Sequence, residues 1–357
     1  MNSLFTPIRL RDLEIRNRVW MPPMCQYHAT DGMPEDWHLV HYGARAAGGY
    51  GLIIAEATGI VPEGRISPAC TGLWNDEQEA AWARIVSFVH TQGARMGIQL
   101  NHAGRKASTV PWLPGQGDGS VRDGGWETVG PSAVAQEGID APREMTVEEI
   151  EALPGQFAAG ALRAVRAGFD TVELHGAHGY LLHQFLTPLA NHRTDEWGGS
   201  FDNRTRLFRA VARAVREVLP EGMPLLVRLS ATDWIDGAWD LEQSVALASS
   251  LIDDGVDLID VSTGGAANTR IPVGPGFQVE FASEIRRRSG LPTAAVGMIT
   301  EPEQALAIVD SGDADAVLIG RAGLRDPAWP LRAAHETGLD RSEIPYPDSY
   351  WRASWRR

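Results

Sequence analysis

A (β/α)8 TIM barrel, closed below by an N-terminal hairpin cap, is the fold this 357-residue sequence predicts. Three observations predict it. Short β-rich runs alternate with longer helical patterns eight times between residues 19 and 336. Several of these runs are almost unbroken apolar stretches, as parallel strands covered on both faces require. The connections are lopsided, one to four residues from helix to strand but long from strand to helix, at 58–75, 101–145, 176–202 and 263–277. Barrel enzymes build their sites from the strand-to-helix loops, so the elaborated face is the expected catalytic one. A doubly wound sheet is the alternative, but it seldom needs eight such units.

Residues 1–18 precede the first strand and read as the hairpin. Strands are expected at 19–24, 51–57, 95–100, 169–175, 223–230, 256–262, 292–297 and 314–320. Helices are expected at about 35–47, 76–92, 146–167, 203–218, 241–254, 278–288, 301–310 and 327–336. Thr146 with Glu149 three residues on reads as a capping box, and Gly168 follows that helix's last turn. Thr300 with Glu303 repeats the pattern, with Gly312 closing the helix. Gly93 and Gly255 end two others. The excursion 101–145 is rich in Gly and Pro and far longer than an ordinary loop, so it reads as a capping loop. Trp112 and Trp126 within it are expected to pack over the site. Residues 337–357 form a C-terminal tail. One domain, 1–357, accounts for the whole chain.

The composition is that of an ordinary globular protein, 43% hydrophobic and 22% charged. No apolar run approaches the length of a transmembrane helix, and the N-terminus lacks a signal-peptide pattern, which makes the cytoplasm the default location. A net charge of −14 argues against general affinity for nucleic acid or anionic membrane. Only two cysteines are present, Cys25 and Cys70, with no CxxC pair. That spacing excludes a disulfide scaffold, a cysteine zinc site and an iron–sulfur cluster built from this chain alone.

Polar and special residues recur at the C-terminal ends of the expected strands. Strand 1 ends Pro22-Pro23-Met24-Cys25-Gln26-Tyr27, strand 2 Glu56-Ala57, and strand 3 Gln99-Leu100-Asn101-His102. Strand 4 ends Glu173-Leu174-His175-Gly176-Ala177-His178-Gly179-Tyr180, and strand 5 Arg228-Leu229-Ser230. Strands 7 and 8 end Val296-Gly297-Met298 and Ile319-Gly320-Arg321. The last two are a phosphate signal: barrels bind phosphate in these loops, glycines admit the backbone, and Arg321 adds a bidentate donor.

His175 and His178 admit four readings. They are a metal pair, part of a nucleophile–base arrangement, packing residues, or two N–H donors converging on one substrate oxygen. Tyr180 has the protonation state of a proton donor at neutral pH. Gln99 and Arg228 either make an internal salt bridge or hydrogen bond inside the barrel or together grip a heteroaromatic ring.

The sequence resembles the Old Yellow Enzyme family, in its thermophilic-like subclass, and is similar there to the xenobiotic reductases. The markers are Leu4-Phe5-Thr6-Pro7-Ile8, Asn17-Arg18, Pro23-Met24-Cys25-Gln26-Tyr27 and His102-Ala103-Gly104-Arg105-Lys106. Gly168-Phe169-Asp170, the run from His175 to Leu186, Asn191-His192-Arg193-Thr194-Asp195, Gly198-Gly199-Ser200 and Gly320-Arg321 complete them. The resemblance implies a non-covalent FMN across the barrel's top. Pro22, Pro23, Met24, Cys25, Ala57, Gln99, Arg228, Gly297, Met298, Gly320 and Arg321 match the family's flavin contacts. His175 and His178 match the pair that holds the substrate's oxygen, Tyr180 the proton donor, and Cys25 and Tyr27 subclass residues near flavin and substrate. It further implies that NADPH or NADH reduces the flavin and that small activated alkenes, α,β-unsaturated carbonyl or nitro compounds, are then reduced. A homo-oligomer, dimer or tetramer, is expected, with Arg352 or Trp355 of the tail reaching a neighbouring site. The insertion from Trp112 to Trp126 departs from the simplest subclass pattern.

A metal-dependent barrel hydrolase using Glu173, His175 and His178 is the rival reading, since alternation puts Glu173 and His175 on one strand face. It leaves Gly320-Arg321, Gln99 and Cys25 unexplained; the favoured reading includes no metal.

Overall fold

A computed structural model describes residues 2–355; Met1, Arg356 and Arg357, the ends of the expected domain, hairpin and tail, lie outside the described residues. Eight parallel strands close into a barrel. They are β1 (Val19–Met21), β2 (Leu52–Gly59), β3 (Arg95–Asn101), β4 (Thr171–Gly176), β5 (Leu225–Ser230), β6 (Leu258–Ser262), β7 (Thr293–Ala295) and β8 (Ala316–Leu318). Each pairs with its sequence neighbours, and β8 returns to β1 through Val317 opposite Val19. The expected architecture is therefore the observed one.

The helices are α1 (Asp36–Ala47), α2 (Asp76–Thr91), α3 (Val147–Arg166), α4 (Leu181–Leu186) and α5 (Phe201–Val218). After them come α6 (Leu241–Asp253), α7 (Val279–Ser289), α8 (Pro302–Asp310), α9 (Arg321–Arg325) and α10 (Trp329–Glu336). The Thr146–Glu149 capping box forms on α3. Its expected counterpart on α8 does not. There Glu301 is the N-cap and Pro302 begins the helix, while the Thr300 N–H is taken by the Gln304 side chain at 3.1 Å. Proline's fixed φ and missing N–H suit the first helical position, which moves the start past Thr300. Two helices were not anticipated, α4 and α9. At six and five residues they are too short for a 3.6-residue period to show.

An antiparallel hairpin, Ile8–Leu10 with Leu13–Ile15, covers the barrel's bottom. Its Ile8, Leu10, Leu13 and Ile15 pack against the inward residues of the barrel, among them Trp20, Leu52, Ile54, Leu226 and Leu258. Strand alternation makes the next inward positions upward on β3 to β6 polar: Gln99, Glu173, Arg228 and Asp260. Register sets Gln99 beside Glu173 and places Arg228 between His175 and Asp260. An apolar floor and a polar ceiling therefore follow from one two-residue period.

Three of the strands end earlier than expected. β1 stops at Met21 because Pro22 and Pro23 offer no N–H to a ladder. β7 and β8 stop before Gly297 (φ 123°) and Gly320, where the backbone leaves the extended region. A shift of register between Ala55 and Thr58 interrupts the β2–β3 pairing at Glu56, a bulge of the kind that re-aims a side chain at a barrel rim. In the 101–145 excursion, Trp126 is tied down, donating from its indole to Glu63 O at 2.8 Å with Arg65 over its ring. Trp112 is 82% exposed, contrary to the expectation that it packs. No helix among the described residues is long and apolar enough to cross a membrane.

Candidate active site

A cavity of about 540 Å³ opens on the barrel's C-terminal face, and Arg228, Gly297, Met298, Gly320 and Arg321 all line it. The site expected after strands 7 and 8 is thus assembled from both loops. An added Cβ at Gly297 would lie 2.9 Å from Gln278 Nε2 and 3.0 Å from a Phe277 ring carbon, so no side chain fits there. At Gly320 the nearest neighbours are Pro22 and Met24, at 3.7 and 3.9 Å, which brings the end of β1 against the end of β8.

Beneath the cavity lies a buried charge cluster. Gln99 donates from Nε2 to Glu173 Oε1 at 2.8 Å, and Arg228 Nε faces Asp260 Oδ2 at 3.1 Å. Gln99 and Arg228 are therefore each held by a carboxylate, the internal hydrogen bond and salt bridge that were one of the two readings of the sequence. Burial and mutual repulsion raise the Glu173 carboxyl well above its ordinary range, and burial lifts Asp260 to about 6. Two buried carboxyls facing one guanidinium retain a proton between them near neutral pH.

Above, β4 carries His175 near its end, and the loop after it carries His178 and Tyr180. The His175 ring centroid lies 5.2 Å from that of His178 and 4.8 Å from that of Tyr180. Burial, then the Arg228 charge, pushes both imidazoles far below their ordinary pKa, so they are neutral and each carries one N–H. His175 Nδ1 accepts from the Ala177 backbone N–H at 3.3 Å, which leaves the proton on Nε2. His178 Nε2 lies 2.7 Å from Ser262 Oγ. Gln278 Oε1, the other acceptor near Ser262 at 3.5 Å, is already taken by Thr263 Oγ1 at 2.7 Å. With Ser262 as donor to His178 Nε2 the imidazole proton sits on Nδ1; with Ser262 donating to Gln278 Oε1 instead, His178 Nε2–H donates to Ser262 Oγ. Among the described residues His175 Nε2, His178 Nδ1 and the Tyr180 hydroxyl make no hydrogen bond, and all three lie within residues 175–180.

That loop is interlocked with its neighbour. A Cβ at Gly179 (φ 73°) would meet Gly265 O at 2.3 Å, so the two backbones touch where only glycine fits. Lys106 donates from Nζ to His178 O at 2.7 Å and to Gly265 O at 3.1 Å, and lies 4.9 Å from the Tyr180 ring centroid. Burial, then Arg105, lowers its pKa to about 8. In the sequence, Lys106 is marked only as the last residue of the His102–Lys106 run, with no role given, and Ser262 is not singled out: it is a plain serine ending β6.

The residues of β4 do not converge on a metal. Glu173 is committed to Gln99 and Asp260 below, while His175 and His178 face upward. Among the described residues one group of donors does converge: Cys25, Glu56 and Cys70, whose ligand atoms lie within 4.8 Å of one another. Cysteine spacing had excluded a cysteine metal site; the fold brings together two thiols 45 positions apart, a proximity that sequence spacing does not reveal. Cys25 and Tyr27, with Tyr180, pack on the small apolar cluster around Ala57 and Cys70. Arg352 and Trp355 lie elsewhere. Trp355 stacks on His335 of α10, centroids 5.6 Å apart, and neither residue enters this chain's own cavity.

The sequence profile of the NADH:flavin oxidoreductase / NADH oxidase family matches residues 3–340. The chain belongs to this family. An NADPH dehydrogenase of Listeria monocytogenes is 46% identical to this family member over 359 residues, covering 100% of both chains. An NADPH dehydrogenase of Geobacillus thermodenitrificans is 45% identical over 360 residues, again covering 100% of both. Morphinone reductase superposes with a TM-score of 0.79 at 31% identity, over 98% of this chain and 96% of that one. The Old Yellow Enzyme homologue of Zymomonas mobilis gives 0.77 at 30%, over 99% and 100%. Like the rest of the NADH:flavin oxidoreductase family, the chain is an NAD(P)H-dependent flavin oxidoreductase that takes FMN.

Proposed function

We propose that the chain is an ene-reductase acting on α,β-unsaturated carbonyl or nitro compounds. One observation carries the reading: two neutral imidazole N–H groups and a phenol, none of them bonded among the described residues, meet beside the cavity that suits the flavin. The cavity fits FMN on its own terms. Gly297 and Gly320 would admit a phosphate to the backbone, Arg321 would supply its counter-charge, and Arg228 would offer a cation to the reduced ring. Pro22, Pro23, Met24, Cys25, Ala57, Gln99 and Met298 complete the cradle, Cys25 at its reactive edge. When bound, FMN would supply the hydride chemistry that links the nicotinamide to the alkene.

The chain's own residues supply the rest. His175 Nε2 and His178 Nδ1 donate to the carbonyl or nitro oxygen, where negative charge grows as hydride arrives. Neutral donors serve this better than imidazolium would, because their charge does not have to be desolvated in the buried site. Tyr180 gives its hydroxyl proton to the α-carbon. Burial raises its pKa far above 10, which keeps the proton in place until charge develops nearby, and the Lys106 ammonium over the ring offsets the cost of the phenolate left behind. Tyr27, half-buried beside Cys25, borders the substrate. The C-terminal tail, with Arg352 and Trp355, contributes to a neighbouring subunit's site in a homo-oligomer.

Isotope placement tests the reaction. With NADPH deuterated at the transferred position, cyclohexenone should yield cyclohexanone labelled at the β-carbon; in deuterated water with ordinary NADPH, the label should appear at the α-carbon. Consumption of NADPH without saturated product refutes the reading.

A further inference from the structure

We propose that Cys25, Glu56 and Cys70 form a binding site for a soft divalent cation such as Zn2+ or Cd2+, at the edge of the substrate cavity. Their ligand atoms lie within 4.8 Å of one another, against separations of about 3.5–3.8 Å for thiolate and carboxylate donors on a tetrahedral ion. Small side-chain rotations close that difference. Two sulfurs and one oxygen are the donor set that prefers thiophilic ions over Mg2+ or Ca2+.

The three donors are held by the fold rather than met by chance. The bulge in β2 aims Glu56 toward α1, where Gln26 N–H donates to its Oε2 at 3.0 Å and His38 Nε2 lies 3.1 Å from its Oε1. Each carboxylate oxygen keeps a further lone pair for a metal, and an oriented partner behind a ligand is how ligands are preset. Cys70 sits in a tight turn, its N–H donating to Ser67 O at 3.1 Å and its sulfur 3.2 Å from Ser67 Oγ. The Ala29 N–H donates to Ala69 O at 3.0 Å, tying the loop of Cys25 to the loop of Cys70. Glu56 and Cys70 are wholly buried, whereas Cys25 is half-buried. The remaining coordination position therefore opens on the Cys25 side, next to Tyr27 and Tyr180. Three protein ligands with one open position is the arrangement of an exchangeable rather than a closed structural metal site.

The test is anaerobic titration of the FMN-loaded protein with Cd2+, followed by calorimetry and by the ultraviolet sulfur-to-cadmium charge-transfer band. A thiol count of two on the denatured, unreduced protein establishes the starting state. The proposal expects one Cd2+ per chain with that band. Cys70→Ser and Cys25→Ser should each lose more than about 100-fold in affinity, since altering even an outer partner costs 10–100-fold. Glu56→Gln should weaken binding while keeping the band. Absence of binding by the parent, equal binding by both cysteine variants, or a thiol count of zero from a preformed disulfide would each overturn it. Cys70→Ser is a near-isosteric change beside Ser67 and keeps the test readable if the Glu56 variant does not fold.

Discussion

Ser262→Ala isolates the tautomer argument. Ser262 Oγ lies 2.7 Å from His178 Nε2, and as the donor it fixes the imidazole proton on Nδ1, an atom that makes no hydrogen bond among the described residues. Without the hydroxyl, the ring divides between two neutral tautomers, and only one donates from Nδ1. The loss is that of one ordinary hydrogen bond, about 0.5–1.5 kcal/mol, which corresponds to about 2- to 13-fold in affinity or rate. Removing the imidazole altogether, His178→Ala, should cost about 10²–10³-fold in the oxidative half-reaction, as for an oxyanion donor. Stopped-flow reoxidation of the reduced protein by cyclohexenone, and titration with a phenol as oxyanion mimic, measure both. Because Ser262 also lines the cavity, FMN content is determined first. Equal losses in Ser262→Ala and His178→Ala, or none in Ser262→Ala, would refute the tautomer assignment.

Tyr180→Phe should keep FMN and be reduced by NADPH at the parent's rate, yet slow reoxidation by the enone; unchanged reoxidation in stopped flow would show that another group gives the proton. Gly179→Ala places a Cβ 2.3 Å from Gly265 O at a left-handed φ of 73°. That conformation alone costs about 1–2 kcal/mol, and the backbone clash adds to it, so denaturant unfolding should show at least this loss. Asp260 is raised from 3.8 to about 6 on folding, so its proton stabilises the fold at low pH and that contribution is lost as pH rises through about 6. The span amounts to about 3 kcal/mol. Asp260→Asn should therefore gain stability relative to the parent as pH goes from 4 to 7, and parallel stability–pH curves for the two proteins would contradict the buried-proton account.

The barrel was legible because its strands are apolar on both faces and its helices carry caps, two local properties that survive in one dimension. The cavity's lining was legible for a related reason: strand ends in a barrel share one rim, so Arg228, Gly297, Gly320 and Arg321 meet without any pairwise signal. What the sequence hid depends on long-range geometry. Glu56 lies on β2 like its neighbours, but an unpredicted bulge turns it toward His38 and the two thiols. Lys106 lies only four residues past His102, yet its function comes from reaching His178 O and Gly265 O across the loops. The Thr300–Glu303 pattern failed because Pro302 fits the first helical turn better than Thr300 fits the cap. Trp112, expected to cover the site, stays exposed because the glycine-rich segment around it offers nothing to bury it.

The central claim, that this site passes electrons from a nicotinamide to an activated alkene, is met most directly by one anaerobic spectrophotometric experiment. A stoichiometric addition of NADPH should bleach the oxidised flavin absorbance of the purified protein. Cyclohexenone added next should restore it with one equivalent consumed, whereas cyclohexanone should leave it bleached. Restoration by the saturated ketone, or no restoration by the enone, would contradict the account.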